Sequence, residues 1–140
     1  MRHYEFIEHT ADIAIRAYGD TLEDAFAEAA QGMFDIITDS ATVESVTPFE
    51  FTIEAMDREA LLVSFLSRLI ATHEIERIVL GHFDVRFADA NSLRVTAWAV
   101  PFDAHHYGRG TQVKGVSYHM LELREPTAGA EAMVQVLFDI

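Results

Sequence analysis

Apolar and polar positions alternate with a period of two at the start of the chain. Tyr4 and Phe6 are spaced by polar residues, and after the polar break His9-Thr10-Ala11-Asp12 the alternation resumes at Ile13, Ile15 and Ala17. That period puts every second side chain on one face of a pleated strand, so two strands are expected, closed by the turn chemistry of Tyr18-Gly19-Asp20. The period then changes. Leu22, Phe26, Ala29, Met33 and Ile36/Ile37 recur at three- and four-residue spacing behind Thr21-Leu22-Glu23-Asp24, a capping-box pattern. Together they predict an amphipathic helix that ends near Thr38-Asp39.

From Val43 the period returns to two. Phe49, Phe51 and Ile53 alternate with Glu50, Thr52 and Glu54, and Pro48 marks an edge strand or a strand entrance because it cannot donate to a ladder. Asp57-Arg58-Glu59 can cap a second helix. Its broad stripe of Leu61, Leu62, Phe65, Leu66, Leu69 and Ile70 predicts deep burial on one side, fading around His73-Glu74. The remainder reads as strands over 78–87, 93–99, 113–123 and 133–138, with turns at 88–92 and 126–129 and a polar loop at 103–110. The order β-β-α-β-α-β-β-β-β has no regular βαβ alternation. It predicts an α+β two-layer sandwich: a mixed, largely antiparallel sheet of about six or seven strands with two long helices on one face. Terminal strands must pair with something, and a pairing of the first with the last would bring Asp12 and Asp139 together.

Composition narrows the function. The chain has 140 residues, half of them hydrophobic, which suits a single domain over 1–140 with a real core. It has no cysteine, which removes disulfides, thiolate metal sites and cysteine nucleophiles. Met1-Arg2-His3-Tyr4-Glu5 carries no apolar signal core and no window approaches a membrane span, so a soluble, cytoplasmic protein without membrane contact is expected. Twenty-three acidic against ten basic residues give a formal charge of −13. Nucleic-acid affinity comes mostly from Lys and Arg displacing counterions, so direct nucleic-acid binding is not expected. Any service to RNA chemistry would run through a basic protein partner or a metal ion.

Several residues are candidates for chemistry. Taken alone, Asp12 reads as a turn residue bonding nearby backbone N–H groups, and Asp139 as a solvated residue at a chain end. Taken together with the α-carboxylate of Ile140, they offer up to three anionic oxygen donors, the set that hard cations such as Ca2+, Mg2+ or Mn2+ prefer. Without a cation such a cluster repels itself. His9, His106 and His119 can ligate metals or move protons, or can simply make local hydrogen bonds and line an exposed loop. Lys114 can balance charge beside an acidic site or engage a partner carboxylate, or can be a solvated strand residue. Tyr118 alternates with it and is placed on the same face. No glycine-rich phosphate loop and no Walker-type lysine occurs, which speaks against nucleotide hydrolysis by this chain.

His9-Thr10-Ala11-Asp12-Ile13, followed by Tyr18 to Phe26 and Gly32-Met33-Phe34, closely resembles the archease family. The loop with His106, the strand Val113 to His119 and the closing Phe138-Asp139-Ile140 match in the same order. The chain departs from the pattern at Gly115 and Ser117, where the family usually has Ala and Thr. The resemblance implies a small α+β protein that is not itself a ligase but assists, by transient docking, the RtcB-type RNA ligase of tRNA splicing. That ligase joins RNA ends with GTP and Mn2+ through a guanylylated histidine, and archease-like proteins promote guanylylation and turnover. It also implies a divalent cation, calcium first with Mg2+ or Mn2+ as alternatives, held by Asp12, Asp139 and the carboxylate of Ile140. His9, His106, Lys114, Tyr118 and His119 then become supporting or partner-contact residues. Two rivals remain at this point. One is a small metal-dependent phosphoester hydrolase with His9 or His119 as general base, and the other a chaperone-like modulator of nucleic-acid enzymes.

Overall fold

The computed structural model describes residues 2–8, 12–38, 47–101 and 110–140. Along the chain run β1 (His3–Glu8), β2 (Asp12–Gly19), α1 (Leu22–Ile37), β3 (Thr47–Glu54), α2 (Arg58–Glu76), β4 (Ile78–Asp89), β5 (Ser92–Pro101), β6 (Gly115–Arg124) and β7 (Ala132–Asp139). The order of elements and the α+β class are those the periodicity predicts. Every strand pairing among the described residues is antiparallel. The strands divide, however, into two sheets: a four-stranded one ordered β1-β2-β7-β6 and a three-stranded one ordered β3-β5-β4. Each helix packs on strands of both, α1 against β1, β2, β7 and β4, and α2 against β6, β3 and β4. A single sheet with both helices on one face is therefore not what forms. Period-two alternation fixes which side chains share a face but carries no information about which strand lies beside which.

Local chemistry sets the helices. Thr21 is the N-cap of α1, its Oγ1 accepting the Asp24 N–H at 3.1 Å, and Glu23 and Asp24 put negative charge at the positive end of the helix dipole. Asp57 caps α2 in the same way, accepting the Ala60 N–H at 2.8 Å. The stripe Leu61, Leu62, Phe65, Leu66 and Leu69 is wholly buried, which contributes roughly 1.5–3 kcal/mol per side chain to holding α2 in place. The core that receives it runs continuously through both sheets and both helices. Pro48 lies second in β3, an edge strand, where its missing N–H disturbs no ladder.

Two contacts tie α1 to the four-stranded sheet and to the chain that leads into β6. At its C-terminus, the Ile36 carbonyl, one of the acceptors a helix end leaves open, takes the Thr111 N–H at 2.7 Å. Gly110 lies so close that a Cβ there would press into the backbone of Ile36 and Ile37 well inside van der Waals contact. Near the middle of α1, the Tyr4 ring of β1 covers Gly32 and its hydroxyl bonds the Asp35 carboxylate, which also takes the Gln31 amide at 3.2 Å. Burial, and then the bond to Asp35 and the charges of Asp35 and Glu28, push the Tyr4 phenol well above its ordinary value.

Two outcomes follow from these contacts. Gly110→Ala should lower stability by about 1–3 kcal/mol, because backbone atoms cannot give way as a side chain can; an unchanged Tm in thermal unfolding would show that the segment is not seated on α1. The raised Tyr4 phenol keeps its proton in the folded chain after the unfolded chain has lost it. Its contribution is thus complete below the ordinary tyrosine value of 10.0 and is lost as pH rises beyond it. Urea unfolding of the wild type and of Tyr4→Phe from neutral pH to about pH 11 should show a shallower alkaline decline in the variant. Parallel declines would contradict it.

Candidate metal centre

The last strand pairs with β2, not with β1, which forms the sheet edge. Their register sets Asp12 directly opposite Asp139, Ile13 opposite Phe138 and Ile15 opposite Val136. The hydrophobic pattern fixes this register. Ile15, Ala17, Val134, Val136 and Phe138 all enter the main core, and a slip by one residue would turn them to the other face. Asp12 and Asp139 are therefore held on the outer face, with Cβ atoms about 4.5–5.5 Å apart as in any antiparallel pair. Like charges so placed destabilise the pairing.

Among the described residues no ion pair neutralises either carboxylate. Asp12 Oδ1 is buried and has no hydrogen-bond partner among the described residues, and a buried acceptor left open costs about 1–3 kcal/mol, more when charged. Asp139 is solvent-exposed at the strand end, and its backbone carbonyl takes the Lys114 N–H at 2.8 Å. Its partner on the other side is Gly115, which leaves the carboxylate uncrowded. A Cβ at 115 would sit 3.7 Å from Asp139 Oδ2, an ordinary contact, so the alanine usual in the family fits here as well.

The β6 strand reaches this site by an irregularity. Ser117 pairs with Leu137, but the next pair is Glu122 with Gln135, so Tyr118 to Leu121 face Val136 alone. Met120 has a φ of +60°, an uncommon left-handed conformation for a residue with a side chain. This bulge folds over β7, and Asp12, His119, Met120 and Leu137 line a hollow of about 100 Å³. β7 lies between β2 and β6 in the sheet, so an unbulged β6 would leave His119 out of reach of Asp12. The His119 N–H bonds Ser117 Oγ at 3.0 Å, a bond that a threonine hydroxyl at 117 can make equally well.

The structure thus brings Asp12, Asp139 and His119 into one neighbourhood, with half-buried Ile140 adjoining Asp139. Lys114 lies just before β6, exposed, and Tyr118 is exposed on the bulge. The register break after Ser117 ends the alternation that placed Lys114 and Tyr118 on one face. His9 and His106 lie outside the described residues. Among the described residues no group of three or more His, Asp or Glu side chains gathers in a metal-ligating arrangement. What this part of the chain offers is a pair of carboxylates with an open, buried oxygen. That donor set is all oxygen and fits a hard divalent cation such as Ca2+, Mg2+ or Mn2+ better than a softer metal such as Cu2+ or Zn2+. The sequence reading missed Met120 and Leu137 as lining residues and Gln135 beneath them. Gln135 carried a signal, being the lone polar residue in the run Met133 to Phe138.

Two antiparallel sheets sharing one core with two helices, and a carboxylate pair where β2 begins and β7 ends, define the class of fold. The same fold is found in the solution structure of Methanobacterium thermoautotrophicum protein 1598, with a TM-score of 0.78, 31% identity and 98% of each chain covered. It also occurs in an archease of Thermotoga maritima described as a possible chaperone, at TM-score 0.65 and 23% identity over 96% of this chain and 94% of that one. Among sequences, Protein archease of Pyrococcus furiosus is 38% identical over 143 residues, covering all of both chains. That of Sulfurisphaera tokodaii is 37% identical over 124 residues, 88% of this chain and 89% of the other. Residues 4–140 match the Archease protein family (MTH1598/TM1083). The chain belongs to that family.

The carboxylate pair has a thermodynamic signature. In chelator-treated protein, Asp12→Asn should raise stability by about 0.2–1 kcal/mol, through relief of the cross-strand repulsion. Excess Ca2+ or Mn2+ should raise the wild-type Tm and leave that of Asp12→Asn nearly unmoved. Equal Tm shifts for both proteins would place cation binding elsewhere.

Proposed function

We propose that this chain is a metal-binding accessory protein that promotes guanylylation and multiple turnover of an RtcB-type RNA ligase. The cross-strand placement of Asp12 against Asp139, with Asp12 Oδ1 buried and open, is the observation that supports the metal-binding part. Family membership supports the accessory role. Asp12, Asp139 and the carboxylate of Ile140 would hold the cation, calcium first with Mg2+ or Mn2+ as alternatives. When bound, a divalent cation supplies positive charge that can neutralise phosphate oxygens. Asp12 and Asp139 contribute fixed positions, because both are backbone-paired in the same ladder. His119 and Met120 of the bulge line one side of the hollow.

The partner would be recognised by charge. With a net charge of −13 the chain is steered toward a basic surface and away from RNA itself, which suits transient docking on an RNA-binding enzyme. No helix among the described residues is long and apolar enough to cross a membrane.

Ligase turnover, measured with substoichiometric accessory protein, tests the proposal. Wild type should stimulate, while Asp12→Ala, Asp139→Ala and a chain extended beyond Ile140 should each lose at least about tenfold of the stimulation, the scale on which metal-site changes act. Equal stimulation by all four would remove the metal site from the account, and none by the wild type would remove the ligase. The nearness of His119 to Asp12 favours one second reading, a metal-dependent phosphoester hydrolase. Metal-dependent phosphoester turnover by the purified chain, lost in Asp12→Ala, would establish that reading instead.

A further inference from the structure

β7 is buried at every position from Ala132 to Phe138, and Gln135 is the one polar residue among them, 3% exposed. Burying an amide in such a strand is unfavourable unless both of its ends are bonded. Both are. Gln135 Oε1 accepts from Arg16 Nε at 2.6 Å, across the β2–β7 pairing. Gln135 Nε2 donates to the Met120 carbonyl at 2.7 Å, at the left-handed residue of the β6 bulge. An arginine can only donate and a carbonyl can only accept, so the amide has a single orientation that satisfies both neighbours. Arg16 is itself steadied by Glu5, whose Oε1 lies 3.8 Å from Arg16 Nη1 and accepts the Tyr18 hydroxyl at 3.1 Å.

These bonds form one line across the outer face of the sheet, from β1 through β2 and β7 to the bulge of β6. Its last member, Met120, lines the hollow that contains Asp12 and His119. We propose that Gln135, oriented by Arg16, is a positioning residue that locks the β6 bulge over Asp12 and so sets the affinity of this site for a divalent cation. The inference rests on the cation reading above and extends it to residues that touch no cation. Tyr118 to Leu121 of β6 lack ladder partners, and the bulge holds its left-handed turn at Met120 against a backbone preference for other conformations. The Gln135 amide supplies the tether that the ladder does not.

Two substitutions separate positioning from simple stability. Gln135→Met is of similar size and apolar, so it suits the strand, but it frees both Arg16 and the Met120 carbonyl. Gln135→Glu keeps an acceptor for Arg16 and sets a carboxylate oxygen against the Met120 carbonyl. By charge alone the added glutamate would draw a cation more tightly, whereas loss of the tether should loosen the site. Calorimetric titration of the full chain with Ca2+, and separately with Mn2+, should give a Kd raised about tenfold in both variants, the scale seen when groups supporting metal ligands are removed. Amide exchange at residues 118–121 should speed up in both, and metal-free Tm, measured alongside, reports any general loss of stability. An unchanged Kd in both, or tighter binding by Gln135→Glu, would overturn the inference while leaving the cation reading intact. If the wild type binds neither cation, the cation reading fails and takes the inference with it. Should Gln135→Met fail to fold, the Gln135→Glu result decides.

Discussion

The pairing of β2 with β7 is the constraint on which the rest depends. Both strands are interior to the four-stranded sheet, and β7 is buried from Ala132 to Phe138, so it cannot shift without exposing core side chains on two faces. Ile15, Ala17, Val134, Val136 and Phe138 hold the register by burial, joined on the outer face by the Arg16–Gln135 bond across the pair. Once that register is set, the outer-face residues have no freedom. Asp12 and Asp139 must stand opposite each other, and Arg16 must stand opposite Gln135. Apolar packing on one face thus imposes an electrostatic conflict at one end of the other face.

A conflict of this kind marks a candidate site better than an acidic composition does. With 23 acidic residues in 140, carboxylates are common on this surface, and most are dispersed or lightly paired, as with Arg2 to Glu28 at 3.0 Å. Asp12 differs in having a buried oxygen with no hydrogen-bond partner among the described residues, opposite a like charge on a rigid backbone. A cation satisfies both requirements at once. The chain's negative field gives the same site a direction of approach, since it favours basic protein surfaces and disfavours bare RNA.

How much of this could be read from the sequence depended on the range of the interaction. The caps at Thr21 and Asp57 are bonds spanning three residues, so their local patterns foretold them. The alternation in β2 marked its core face. The division into two sheets did not follow from the pattern, because it is decided by contacts between residues far apart in sequence. Asp12 and Asp139 were named beforehand through the resemblance and the need of terminal strands to pair, although the partner of β7 proved to be β2 and not β1. The bulge of β6 was illegible, because Tyr118 to Leu121 continue an ordinary strand composition and only the pairing with β7 reveals the surplus residues. Gln135 stood out as a polar residue in an apolar run, but nothing local said that it reaches Arg16 on one side and Met120 on the other.

The central claim is that β2–β7 pairing builds a cation site from Asp12 and Asp139. It is tested most directly by crystals of the full chain grown with Mn2+, with anomalous scattering data collected to locate the metal. The account predicts an anomalous peak between the Asp12 and Asp139 carboxylates, in contact with Asp12 Oδ1. A well-ordered Asp12–Asp139 pair with no peak between the two side chains, whether or not Mn2+ binds elsewhere, would contradict it.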